Sequence, residues 1–232
     1  GFPLLKPMSE IAGKGGFLAA LNFTQKIHGG KGILLTRVHG VRTPEITIIG
    51  AGNSGLGAAE LAASFGNKVT ILDVELLYSN EQNIIKCLRR TDVLMNCILW
   101  PKSRKDHLVS RDMLKLMKPA SLIVDVACDE AGAIETCRST THADPVYTEE
   151  GIIHYCVDNI PAAFPQTSTY TLCNATLPFA LEMADKGVKQ ALIDDKYLRR
   201  GLTSYEGELT LEETGKKQQR PYTPPEKVLG ME

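Results

Sequence analysis

One stretch restricts the architecture of this chain more than any other: Glu45-Ile-Thr-Ile-Ile-Gly-Ala-Gly-Asn-Ser-Gly-Leu-Gly-Ala-Ala-Glu60. Behind Pro44, the β-branched residues Ile46 to Ile49 predict a buried strand. That strand runs directly into Gly50-x-Gly52-x-x-Gly55, and the alanine-rich Gly57 to Ser64 predicts a helix. Strand, glycine turn and helix in this order suit a dinucleotide pyrophosphate. Gly50 permits the tight turn, Gly52 lets backbone amides approach the phosphates, and Gly55 lets the helix pack closely on the strand. The first helical turn aims free N–H groups and partial positive charge at the anion. Asn53 and Ser54 fall in the same cradle, and no His–Asp partner marks Ser54 as a nucleophile.

A glycine motif alone is weak, because a βα turn can be glycine-rich and bind nothing. The next element strengthens it. Lys68-Val-Thr-Ile-Leu-Asp73 predicts a second strand ending in an acid about twenty residues past the glycines. A carboxylate there accepts hydrogen bonds from ribose hydroxyls and repels a 2′-phosphate, which favours NAD over NADP.

Further along, Glu81 to Arg90 predicts a helix, leaving room between it and Asp73 for no more than a stub strand, Leu76–Tyr78. Asp92 to Leu99 and Ser121 to Ala127 are continuous apolar strands of the buried parallel kind. Between them Ser110 caps a helix with an apolar face of Met113, Leu114 and Met117. Ile152 to Val157 predicts a last strand. Strand and helix alternate throughout, so the expected fold class is α/β, a Rossmann-type doubly wound parallel sheet with a C-terminal helical return. Ligands sit at the carboxyl ends of such strands. Here those ends are Gly50–Gly55, Asp73, Ile98–Leu99, Ala127–Asp129 and Asn159–Pro161, one predicted rim.

The flanks are less informative. Pro3 and Pro7 predict an extended start, with Ser9 capping a helix that runs to about Lys26. Gly13, Gly15 and Gly16 inside that helix each cost about 1 kcal/mol against alanine, which calls for close approach of another backbone or a ligand. Ser168 to Lys186 predicts a helix kinked at Pro178, and residues 187–232 read as too polar to fold alone. The domains are therefore expected at 1–166, with the cofactor sheet, and 167–232, a helix and tail that would pack on another lobe.

A formal charge of −1 with interspersed signs argues against nucleic acid or a membrane surface as partner. No apolar run reaches the length of a membrane span. The six scattered cysteines lack CxxC spacing and read as buried thiols in a reducing, cytoplasmic compartment. No His/Cys spacing suggests a metal. His154 reads as a core histidine, His142 as a loop residue near the rim, and Lys14 and Lys31 as exposed charges.

The chain also resembles the alanine dehydrogenases, within the superfamily that holds the soluble subunit of nicotinamide-nucleotide transhydrogenase. The resemblance rests on Pro7-Met-Ser-Glu-Ile-Ala-Gly13, His28-Gly-Gly-Lys-Gly-Ile-Leu-Leu35, Met117-Lys-Pro119 and Ile123-Val-Asp-Val-Ala127. It continues in Thr140-Thr-His-Ala-Asp-Pro145, His154-Tyr-Cys-Val157, Asn159-Ile-Pro161, Thr167-Ser-Thr-Tyr170 and Asn174-Ala-Thr-Leu-Pro178. It implies reversible, NAD-dependent oxidation of L-alanine to pyruvate and ammonia by a cytosolic homo-oligomer, a hexamer in the family.

Residue by residue, the resemblance places Met8 and Ser9 on the nicotinamide side of the cleft and Asp73 on the ribose. Ile98 and Leu99 lie beside the adenosine and the nicotinamide ribose, Asp129 is the catalytic carboxylate, and Asn159 and Ile160 form a cofactor-contacting turn. Against the family pattern, the chain begins close to the PMSEIAG motif. The lobe carrying the substrate-binding lysine and arginine and the catalytic histidine is therefore expected to be absent. The segment after Asp73 is short, and Tyr78 stands where the family often has a basic residue. Two alternatives follow: a catalytically silent NAD(H)-binding module, or a transhydrogenase-type NAD-binding subunit.

Overall fold

The structure is a computed structural model that describes residues 4–74, 80–101, 104–128 and 132–231. Its centre is a six-stranded sheet of β1 (Glu45–Ile49), β2 (Lys68–Leu72), β3 (Val93–Asn96), β4 (Leu122–Asp125), β5 (Val146–Glu149) and β6 (Ile152–Tyr155). The strands lie in the order β2-β1-β3-β4-β6-β5. The first five of these neighbours are parallel, with Ile49 opposite Leu72 and Asn96, and Asn96 opposite Asp125. The chain moves from β1 outward to β2, then crosses back past β1 to β3, so the direction of winding reverses between β1 and β3. A crevice opens at such a switch point, above the carboxyl ends of the strands.

Alternation along the strands divides the core in two. Ile46, Ile48, Val93, Met95, Leu122 and Val124 pack with Phe17 and Ala20 of α1 (Leu5–Phe23) and Ala58 and Ala62 of α2 (Asn53–Ser64). Ile49, Leu72, Leu94 and Ile123 face the other way, onto Ile84 and Leu88 of α3 (Glu81–Leu88) and Leu114 of α4 (Arg111–Leu114). Helices on both faces leave these strands no solvent side, which is why they read as unbroken apolar runs. Asn80 caps α3 and Ser110 caps α4, each accepting a backbone N–H three residues on.

The structure corrects several expectations. α1 begins at Leu5, so Ser9 lies within the helix and does not cap it. Pro7 sits in the first turn, where an amide has no helical partner to lose. β5 was not expected as a strand, and it pairs antiparallel with β6. The two are joined through Glu150 and Gly151, both at positive φ, 53° and 73°, the backbone of a tight hairpin. The stub Leu76–Tyr78 lies outside the described residues. Lys31 is largely buried and binds Asp92 at 3.3 Å, where an exposed charge was expected. Asp92 is itself buried at the amino end of the sheet and accepts from Arg42 at 2.8 and 2.6 Å and from the Glu45 N–H at 3.0 Å.

The chain divides into two compact units, residues 1–172 and 173–232, with the boundary inside α5 (Pro165–Lys186). α5 continues through Pro178. The second unit, read as a polar tail, holds α6 (Val188–Asp194), α7 (Lys196–Arg200), a hairpin of β7 (Ser204–Tyr205) and β8 (Glu208–Leu209), α8 (Glu212–Gln218) and α9 (Pro225–Leu229). Its few apolar residues are concentrated, with Ala191, Leu192 and Leu229 buried. Arg199 secures them by donating to the Leu192 and Ile193 carbonyls at 3.0 Å and to Glu226 at 3.1 Å.

Candidate cofactor site

The glycine turn is built as its spacing predicts. Gly50 has φ +100° and donates to the Leu72 carbonyl at 2.8 Å. A Cβ on Gly55 would stand 1.9 Å from the Gly50 carbonyl oxygen, so helix and turn meet at a distance only glycine allows. A Cβ on Gly50 would in turn meet Ile98 at 2.6 Å, which brings the end of β3 against the turn.

Gly52 differs from both. Its backbone is extended, φ −71° and ψ −174°, and a Cβ there would meet none of the described residues within 4 Å. The protein's own packing therefore gives no reason for glycine at 52. The residue is the N-cap of α2 and supplies no side chain to the first-turn amides, which have no acceptor within the helix. Bare amides beneath open space fit a pyrophosphate.

Asp73 follows β2 and is half-buried. Its Oδ2 accepts the Ala51 N–H at 2.7 Å, so the carboxylate is fixed at the edge of the glycine turn. Ser9 is half-buried on α1, next to Glu10, whose backbone meets α2 at Gly57. A Cβ on Gly13 would lie 1.9 Å from the Ser54 carbonyl oxygen, and one on Gly57 would lie 2.9 Å from that of Glu10. Gly15 and Gly16 make room for Ile160 with Phe164, and for Val124 with Met95. The costly glycines of α1 thus have a physical reason: they let the helix lie on α2, on the sheet and on the turn after β6.

Asn53 is exposed at the start of α2, and Ser54 is half-buried. Ile98 is half-buried, whereas Leu99 is 80 % exposed above the rim. Asn159 is exposed and left-handed at φ +54°, and Ile160 is buried beneath it. A groove of about 220 Å³ brings Met8, Asn159, Pro161 and Ser168 together. A larger one, about 580 Å³, lies between α1 and α2 and shares only Asn53 with the expected cofactor contacts. Asp129 lies outside the described residues.

His142 approaches the rim, with Nε2 3.2 Å from the Asn159 carbonyl oxygen. His154 is a satisfied core histidine, bonded to Thr136 Oγ1 at 2.8 Å and the Ile152 carbonyl at 2.9 Å. Burial holds its imidazole below the usual range. Lys14 pairs with Glu10 and Glu60 at 2.7 and 3.0 Å. Among the described residues no His/Cys/Asp/Glu group could hold a metal ion, and no helix is long and apolar enough to cross a membrane. Sequence reasoning missed the pairing of Asn96 with Asp125. Two polar residues closing apolar strands was the available signal.

Sheet order, switch point and glycine turn define a Rossmann-type dinucleotide-binding fold. The family model of the alanine dehydrogenase/PNT C-terminal domain matches residues 17–77 and 73–212, and the chain belongs to that family. This is the family's NAD-binding domain. The alanine dehydrogenase of Methanococcus maripaludis is 46 % identical over 98 % of this chain and 65 % of its own length. A solved L-alanine dehydrogenase superposes with a TM-score of 0.87 at 35 % identity, covering 94 % of this chain and 65 % of that one. A transhydrogenase from Sinorhizobium meliloti shares the fold, with a TM-score of 0.65 at 20 % identity. The chain thus spans slightly less than two thirds of the alanine dehydrogenases it matches.

Proposed function

We propose that this chain binds NAD along the rim and serves the reversible oxidative deamination of L-alanine to pyruvate and ammonia. The observation that carries the binding is the open space above Gly52, beside the Asp73 carboxylate held on the Ala51 amide. Family membership carries the reaction class.

When bound, NAD supplies the acceptor for the hydride of the amino acid's Cα. The remaining work falls to side chains and backbone. The amides of Gly52 to Gly55 hold the pyrophosphate, with Asn53 and Ser54 at its edge, and Asp73 takes the adenosine ribose hydroxyls. Ile98 and Leu99 border the riboses, while Ser9 and Asn159 close the nicotinamide end, with the buried Ile160 supporting that turn from beneath. Asp129 is the catalytic carboxylate. It orients the substrate amine or the attacking water and balances the positive charge that develops on nitrogen.

The test is a titration of NADH by fluorescence, alongside NADH formation from L-alanine at alkaline pH. Binding together with turnover is the expected result. Binding without turnover leaves a cofactor-binding module and sinks the deamination reading for this chain. Absence of binding refutes both.

A further inference from the structure

Asn96 and Asp125 close β3 and β4 and stand opposite each other in the parallel register. Strand alternation sets them on the face of Leu94 and Ile123, beneath α3 and α4. Both are out of water, Asn96 at 1 % and Asp125 at 0 % exposure. Asn96 Nδ2 donates to Asp125 Oδ1 at 2.8 Å. Each side chain also reaches two residues forward along its own chain. Asn96 Oδ1 accepts the Ile98 N–H at 3.4 Å, and Asp125 Oδ1 accepts the Ala127 N–H at 3.2 Å. The result is a buried polar bridge that ties together the outgoing turns of two neighbouring strands.

Stability alone does not ask for this bridge. Apolar side chains of similar volume commonly do as well or better than a buried polar group, above all one that is incompletely satisfied. Among the described residues Asp125 Oδ2 has no nitrogen or oxygen partner, and the weakly donating Cys137 thiol lies beside the carboxyl. Burial raises its carboxyl to about 7, so that the neutral form is well populated near neutrality.

We propose that the Asn96–Asp125 bridge is a positioning pair that sets the two turns under the nicotinamide half of the cofactor. This rests on the reading of the rim as an NAD site. With the pyrophosphate at Gly50–Gly55 and the adenosine ribose at Asp73 beside β2, the other half extends over β3 and β4. The turns there are Cys97–Leu99 and Val126–Cys128, and the bridge fixes one against the other. Asp125 contacts neither substrate nor cofactor in this role; it acts through Ala127 and Asn96. Asparagine at 125 would reproduce its neutral state and its acceptor.

The experiment is calorimetric titration of the full chain, wild type and variants, with NADH and separately with ADP, which carries the adenosine and both phosphates only. Asp125→Ala should weaken NADH by about tenfold or more while ADP stays within about twofold. Asp125→Asn should restore NADH binding. Should Asp125→Ala fail to fold, Asn96→Ala removes the same bridge from the β3 side and is read the same way. Equal losses for both ligands, no loss for NADH, or failure of asparagine to rescue would each overturn the pairing. Wild-type protein that binds neither ligand would instead remove the NAD reading, and this proposal with it.

Discussion

Replacing Gly52 by alanine separates what the fold needs from what the ligand needs. The backbone at 52 is extended, a conformation open to any residue, and the added methyl meets no atom of the described residues within 4 Å. A glycine replaced by alanine at a compatible position gains about 0.4–1 kcal/mol, because the unfolded chain has less freedom to lose. Position 52 is also the N-cap of α2, where alanine is less favoured than glycine by a similar amount, so the two effects roughly cancel and the melting midpoint should stay within about 4 °C of wild type. The same methyl enters the space assigned to the pyrophosphate. Overpacking by one carbon costs about 1–3 kcal/mol, or roughly 5- to 150-fold in Kd. NADH titration and thermal melting on one preparation read both effects. The expected variant is about as stable as wild type and binds NADH poorly. Unchanged affinity would refute the assignment of that space, and a midpoint lowered well beyond about 4 °C would refute the claim that the fold leaves it free.

Two other substitutions extend the reasoning. Gly13→Ala should do the opposite: its Cβ would lie 1.9 Å from the Ser54 carbonyl oxygen, so α1 must retreat from α2. The helix-propensity gain of about 1 kcal/mol is then outweighed, and a net loss of about 1–3 kcal/mol should lower the urea midpoint with little change in slope. Asp73→Ala should weaken NADH by about tenfold or more through lost charge-assisted hydrogen bonds and should narrow discrimination against NADPH. Equal affinity of wild type for NADH and NADPH would contradict the role given to that carboxylate.

Much of the cofactor rim is visible in the order of residues because its signals are local. β1, the glycine turn and α2 follow one another without interruption, and Asp73 ends the next strand. Close packing explains why Gly50 and Gly55 are glycines, and both contacts lie within a dozen residues of them or at the neighbouring strand end. β5 is not legible in the sequence because an edge strand that is half-exposed carries no unbroken apolar run. The start of α1 was misplaced because proline punctuates a chain in two ways, and only the surrounding packing decides between a break and a first turn.

The amino-acid sequence by itself determined the fold class, the place of the glycine turn and the acid beside it. Period, glycine spacing and strand ends are short-range properties of the chain. Tertiary structure alone decided what the three glycines of α1 are for, since Ser54, Ile160 and Val124 lie far from them in sequence. It also decided that Asn96 and Asp125 meet. Register between neighbouring strands places them face to face, 29 residues apart along the chain, and burial then turns an ordinary carboxyl into one that titrates near neutrality.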